Sequence, residues 1–202
     1  MTLHFVQRTA ARRGSARDDA GAAKVVVAFC VTLVFLAGAC GKKSETAANL
    51  AAANKITVRP VRLYFESPQM LLASETRNIP LPESPAAAIP VVARELMKGP
   101  AANTPLFRIF PADTVLRGAY LVPGGTVIVD LGGTTLTQGW GAGSHSELMA
   151  VYSLVQSLTA NFKDAQRVRI VINGSPSETL GGHVSLGRSL APMPALVEPA
   201  SR

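Results

Sequence analysis

The sequence predicts an α+β fold, a two-layer sandwich in which a mostly antiparallel sheet carries two helices on one face. Short β-rich runs come in pairs around turn residues, as in "VLRGAYLVPGGTVIVDL". Two segments with apolar residues at helical spacing interrupt them. Each of these elements has one apolar side, so two layers are enough to bury them.

In chain order, "ITVRPVRLYF" alternates so that Val61, Leu63 and Phe65 share a face, and Pro60 confines the strand to an edge or delays its start. "LLASETRNIPL" is its expected antiparallel partner across "ESPQM". Pro90 is expected in the first turn of a short helix, "PVVARELMKG", with Val92 and Leu96 one turn apart and Gly99-Pro100 ending it. Pro123-Gly124-Gly125 suits the tight turn of the next hairpin. "GGTTLTQGWGAG" is expected to be a flexible loop. Ser144 and Glu147 then have capping-box spacing, each positioned to satisfy an unpaired amide at a helix start. Leu148, Val151, Tyr152, Val155, Leu158 and Phe162 follow as one apolar helix face. "QRVRIVING" reads as a strand ending in an Asn-Gly turn, and "ETLGGHVSL" as the return.

The N-terminus is organised differently. Among the first 24 residues are five Lys/Arg and two Asp, whereas Val25 to Ala39 carries no charge. A basic segment, an apolar run and small residues before a cut make a secretory signal. As a helix, the apolar run would reach about 22 Å, short of the roughly 30 Å hydrocarbon core. Leu36, Ala37, Gly38 and Ala39 precede Cys40, which resembles a bacterial lipobox with its Leu one residue early. Cys40 is therefore the expected lipidation site and first mature residue, the alternative being an inert thiol behind an ordinary signal or signal anchor. The division expected is a signal over 1–39, a lipidated Cys and tether over 40–55, the domain over 56–190 and a disordered tail over 191–202.

Removing residues 1–39 takes five bases and two acids from 20 and 13, leaving 15 and 11 and a net charge of +4. With no aromatic-interleaved basic stripe, nucleic acid is not an expected partner. Cys30 lies in the apolar run and Cys40 at its end, so no disulfide or cysteine metal site is available to the mature chain.

Few residues carry chemistry. His145 and Glu147 form His-x-Glu, a fragment of the zinc deaminase signature without its cysteines. A surface His beside a helix cap is the simpler reading. His183 reads as a structural histidine at a turn, and Asp113 and Asp130 as turn or cap acids. Trp140, alone in a Gly-rich loop, is either a lid over the core or an exposed anchor for a partner or glycan. No catalytic residue, metal site or cofactor is expected.

Several segments, taken together and in order, resemble the sporulation and spore germination (GerMN) domain: "VRLYF", "VARELMKGP", "FPADTVLRGAYLVPGGTVIVDL", "GSHSELMAVYSLVQSLTANF" and "VRIVINGSPSETLGGHVSL". The resemblance spans about 130 residues and implies a ring-building-motif-like α+β module, without catalytic residues, in an envelope lipoprotein. It carries one copy of the domain, where the sporulation protein has two in tandem. The expected function is a non-enzymatic scaffold or adaptor, exported and lipid-anchored on the periplasmic or outer face of a membrane, with an envelope protein as partner. The alternatives are a module binding peptidoglycan or another small ligand through Trp140, and a hydrolase using His145 or Glu147.

Overall fold

A computed structural model describes residues 55–138, 140–141 and 143–199. The expected signal, Cys40 and most of the tether lie outside the described residues. The class is the expected one, α+β with mostly antiparallel strands. Its strands divide between two sheets rather than one.

β1 (Ile56–Glu66) and β2 (Leu72–Pro82) form an antiparallel hairpin, in register from Ile56↔Pro82 to Glu66↔Leu72. The turn closes through Ser67 N–H to Leu71 O at 2.9 Å, with Met70 at φ 61°. Val61, Leu63 and Phe65 are buried, as the alternation requires. The second sheet has the order β3 (Val115–Val122), β4 (Thr126–Gly132), β5 (Arg167–Ile172) and β6 (Ser175–Pro176). Here β4 and β5 run parallel. The connection between them is a long crossover through two helices, which returns the chain in the same direction. Asn173 and Gly174, at φ 51° and 75°, make the expected tight turn. Beyond it "ETLGGHVSL" is a looped segment with one isolated bridge, Thr179↔Ser185, instead of a full strand.

Helix α1 (Pro85–Met97) starts a turn and a half earlier than expected, with Pro85 in the first turn and Pro90 inside. The amide that Pro90 lacks would have bonded Ala86, whose exposed position leaves its carbonyl to water. At the other end Gly99 takes φ 85°, and two arginines satisfy the terminal carbonyls. Arg108 donates to Met97 O at 2.9 Å and Lys98 O at 2.5 Å, while Arg77 donates to Gly99 O at 2.6 Å. Arg77 also pairs with Glu75 and Glu95 and lies 5.5 Å from the Phe65 ring centroid. The "MKGP" segment is thus a helix end clamped to β2.

The segment read as a flexible loop holds a short helix, α2 (Thr134–Thr137), because Leu136 reaches the core and Asp113 accepts from Thr135 N–H at 2.8 Å. Helix α3 (Gly143–Asn161) is more enclosed than a one-faced helix. Every residue from Met149 to Leu158 is buried. Its polar residues are buried along with the apolar ones because they hold the edge of β1. Ser153 Oγ donates to Tyr64 O at 2.5 Å, and Ser157 Oγ accepts from Tyr64 N–H at 3.0 Å. Asn161 accepts from Arg62 N–H at 3.0 Å and donates to Arg62 O at 2.6 Å. These three side chains are four residues apart, on one helix stripe. They take the bonds a neighbouring strand would take, which is why the hairpin does not continue into the second sheet. One core joins both sheets and the helices, with Leu63, Ile89, Val92, Val129, Leu154 and Ile170 among its members.

The described part of the tail, 191–199, is ordered, against the disorder expected from its Pro and Ala content. A 3-10 turn spans Pro194–Leu196, Leu190 exchanges two hydrogen bonds with Val168, and Glu198 N–H donates to Leu72 O at 2.9 Å. Ser67 donates to the Glu198 carboxylate. Backbone pairing overrides composition here.

Ser157→Ala should leave the buried Tyr64 amide unpaired and cost about 1–3 kcal/mol in denaturant unfolding. Asn161→Ala should cost less, because Arg62 is exposed and water can replace the lost partner.

Candidate functional site

A cleft of about 340 Å³ opens between the end of β1, the segment after α1 and the N-terminus of α3. Phe110, Pro111 and Trp140 line it with apolar surface; Glu66, Arg108 and Ser146 supply polar groups. Glu66 closes β1, its carbonyl accepting from Phe107 N–H at 2.8 Å. Its carboxylate lies 2.8 Å from His145 Nε2. The guanidinium of Arg108 is already committed to the end of α1. Trp140 is half-buried, packed against the core and facing the cleft. Its packing against the core fits the lid read for it from sequence, and it also lines the concavity.

Ser144 and Glu147 do not form the expected capping box. Ser144 lies exposed within the first turn of α3, and Glu147 is fully buried, turned toward the 180–184 loop. The Glu147 carboxylate accepts from Leu180 N–H and His183 N–H, both at 2.8 Å, and lies 3.1 Å from His183 Nδ1. Sequence spacing alone could not separate these outcomes, since a glutamate at that position can turn back to the cap or out to another segment. Burial pushes the Glu147 carboxyl up, but the amides of Gly181, Val184, His183 and Leu180 outweigh it and hold the group below the ordinary carboxylate range.

This clamp shapes the cleft indirectly. A Cβ on Gly181 would sit 2.6 Å from Trp140 O and 3.3 Å from Glu147 Oε2, so only glycine permits that approach. Gly182 takes φ 103° to complete the bend. The "TLGGH" segment is thus a backbone cradle for a buried carboxylate, and it abuts the backbone of the cleft tryptophan. Sequence reasoning missed the cradle; the adjacent glycines beside a histidine were its signal.

The arrangement suits binding more than bond cleavage. His145 turns to Glu66 and Glu147 to the 180–184 loop, so the two halves of His-x-Glu serve different segments. His183 is exposed on the far side of the Glu147 carboxylate. Asp130 joins Arg117 at 3.3 Å and accepts from Gly174 N–H at 2.8 Å, a turn acid as expected. Among the described residues no group of three His, Cys, Asp or Glu could hold a metal ion. None of the described helices is long and apolar enough to cross a membrane.

The family model for sporulation and spore germination (Germane) matches residues 62–178. That match runs from the second half of β1 through β6, including the α3 stripe and Glu147. Two solved structures from Bacillus subtilis share the fold. The first GerMN domain of the sporulation protein GerM is 21% identical, with 66% of this chain and 97% of that one covered and a TM-score of 0.50. The tandem GerMN domains of GerM are 19% identical, with 67% of this chain and 46% of that one covered and a TM-score of 0.50. This chain thus spans about half of the tandem protein. No curated protein matches it.

Because the Glu147 carboxyl is depressed in the fold, it adds stability above the ordinary glutamate value of 4.5 that is lost as pH falls toward its folded value. Glu147→Gln should flatten that acid limb of the stability profile. It should also cost about 2–3 kcal/mol at neutral pH, since one amide oxygen replaces a charged acceptor of several N–H groups.

Proposed function

We propose that this chain, which belongs to the sporulation and spore germination (GerMN) family, is an exported, lipid-anchored scaffold that docks an envelope protein onto its hairpin edge. The anchor is Cys40, whose flanking residues carry the signal and lipobox pattern. The domain recruits without catalysing.

One observation carries the docking role. In the β1–β2 register, Tyr64 faces Ser74 and Arg62 faces Thr76. The backbone groups of Tyr64 and Arg62 point away from β2, into α3, so those of Ser74, Thr76 and Asn78 point away from β1. Among the described residues no hydrogen bond reaches them there; the tail pairs only with Leu72. Among the described residues, one edge of the hairpin is thus sealed by a helix and the other is open and polar. An open edge is a template for an added strand.

A second reading has the cleft binding a cell-wall glycan, favoured by Trp140 beside Glu66 and Ser146. Aromatic faces stack on sugar rings while carboxylates and hydroxyls take their hydroxyl groups. Trp140 is the only tryptophan in the chain, so its emission reports on that cleft directly.

Crosslinking in intact cells, followed by mass spectrometry, should recover a reproducible set of envelope proteins. Thr76→Pro removes one outward amide and no bond to β1, so it should leave the fold intact and abolish that set. Retention of the set by the variant would exclude the edge as the docking site. Separately, peptidoglycan fragments that shift the Trp140 emission, with binding lost in Trp140→Ala, would establish the second reading; an unchanged emission at millimolar fragment would remove it.

A further inference from the structure

The outer face of the hairpin, at the end where the chain enters it, presents apolar side chains to solvent. Ile56 is 62% exposed and Val58 68%. Across the register they face Pro82 and Pro80, and Pro60 continues the same face. Pro60 and Pro80 are exposed as well. The opposite face of β1 at Val61, Leu63 and Phe65 is core, so these outer residues are not spillover from a strand buried on both sides. Farther along, Tyr64 on the same outer face is buried, and the tail residues Val197 and Glu198 lie beside it across a groove. The apolar patch is therefore confined to the root of the hairpin.

We infer that this root is a membrane-contacting face, which lies flat on an anionic lipid surface once the chain is anchored. The proposal rests on the lipid-anchored reading of Cys40. Two further observations select a bilayer over another occupant. Only 14 residues separate Cys40 from Lys55, the residue before Ile56. Fully extended, that stretch spans about 50 Å at most, and it joins the domain at the patch itself. Such confinement raises the effective concentration of the surface to the point where a weak contact is populated. The charge around the patch also fits. Arg62 and Lys55, which pairs with Glu83 at 2.8 Å, are exposed at its margins. Apolar side chains with Arg62 and the Lys55–Glu83 pair at their margin suit an interfacial contact.

In this orientation Ile56 and Val58 insert at the level of the headgroups while the basic margins meet anionic lipid. The Ser74–Asn78 edge then lies alongside the membrane, open to a strand from a neighbouring membrane protein.

The test uses the full, processed chain in vesicles of phosphatidylethanolamine and phosphatidylglycerol. Cys40 is acylated in that form, so Val58→Cys supplies the free thiol for an environment-sensitive fluorophore; Gln69→Cys, in the turn at the opposite end, is the control. The expected result is a blue-shifted emission at position 58, quenched about twofold by nitroxide-labelled lipid, with neither effect at position 69. Adding Ile56→Asp, an exposed change that should leave the circular dichroism unaltered, should cancel the quenching. A protein that floats with the vesicles but is not quenched at position 58 would overturn the face and leave the anchor standing. A protein that does not float would overturn both. Position 58 crosslinking to position 58 of another copy would assign the patch to self-association instead and overturn the membrane contact.

Discussion

Helix α3 stands where a third strand of the hairpin would stand, and the remaining architecture follows from that substitution. A strand edge carries alternating N–H and C=O groups that are costly to bury unpaired. Ser153, Ser157 and Asn161 satisfy those of Tyr64 and Arg62 from one stripe of the helix. The remaining faces of α3 are free to be apolar, so the helix can run through the middle of the molecule instead of along its surface. The hairpin ends as a two-stranded sheet with a sealed edge and an open one, and the second sheet forms independently around the β4–β5 pair.

The same helix organises the cleft from its first turns. Glu147 is anchored in a backbone cradle, the cradle presses Gly181 against Trp140, and Trp140 forms a wall of the concavity with Phe110 and Pro111. His145, two residues away, reaches in a different direction to Glu66 at the end of β1. A buried carboxylate with amide partners is rigid, and the half-buried His145–Glu66 pair closes the opposite side of the cleft.

Much of the fold was legible because strand alternation and turn chemistry are local. Val61, Leu63 and Phe65 on one face, the Gly124-Gly125 turn and the Asn173-Gly174 turn all follow from neighbours in sequence. The departures have long-range causes. Glu147 met the sequence rule for a cap and was captured by amides more than thirty residues away. Nothing local to Ser153 and Ser157 shows that a strand edge lies opposite them. The tail looked unstructured by composition, yet the Glu198 amide finds Leu72. Trp140 was recognised as unusual from its isolation in a glycine-rich loop, whereas Glu66, Phe110 and Pro111, which build the cleft with it, carry no distinguishing pattern.

The proposed docking role depends on α3 sealing β1, which leaves only the β2 edge of the hairpin for a partner. Hydrogen exchange at the Tyr64 amide tests this most directly. The account predicts that Tyr64 in the native chain exchanges only through global unfolding, and that in Ser157→Ala it exchanges locally while the Leu63 amide, paired within the hairpin, stays slow. Fast exchange of Tyr64 in the native chain, or unchanged protection in Ser157→Ala, would contradict it.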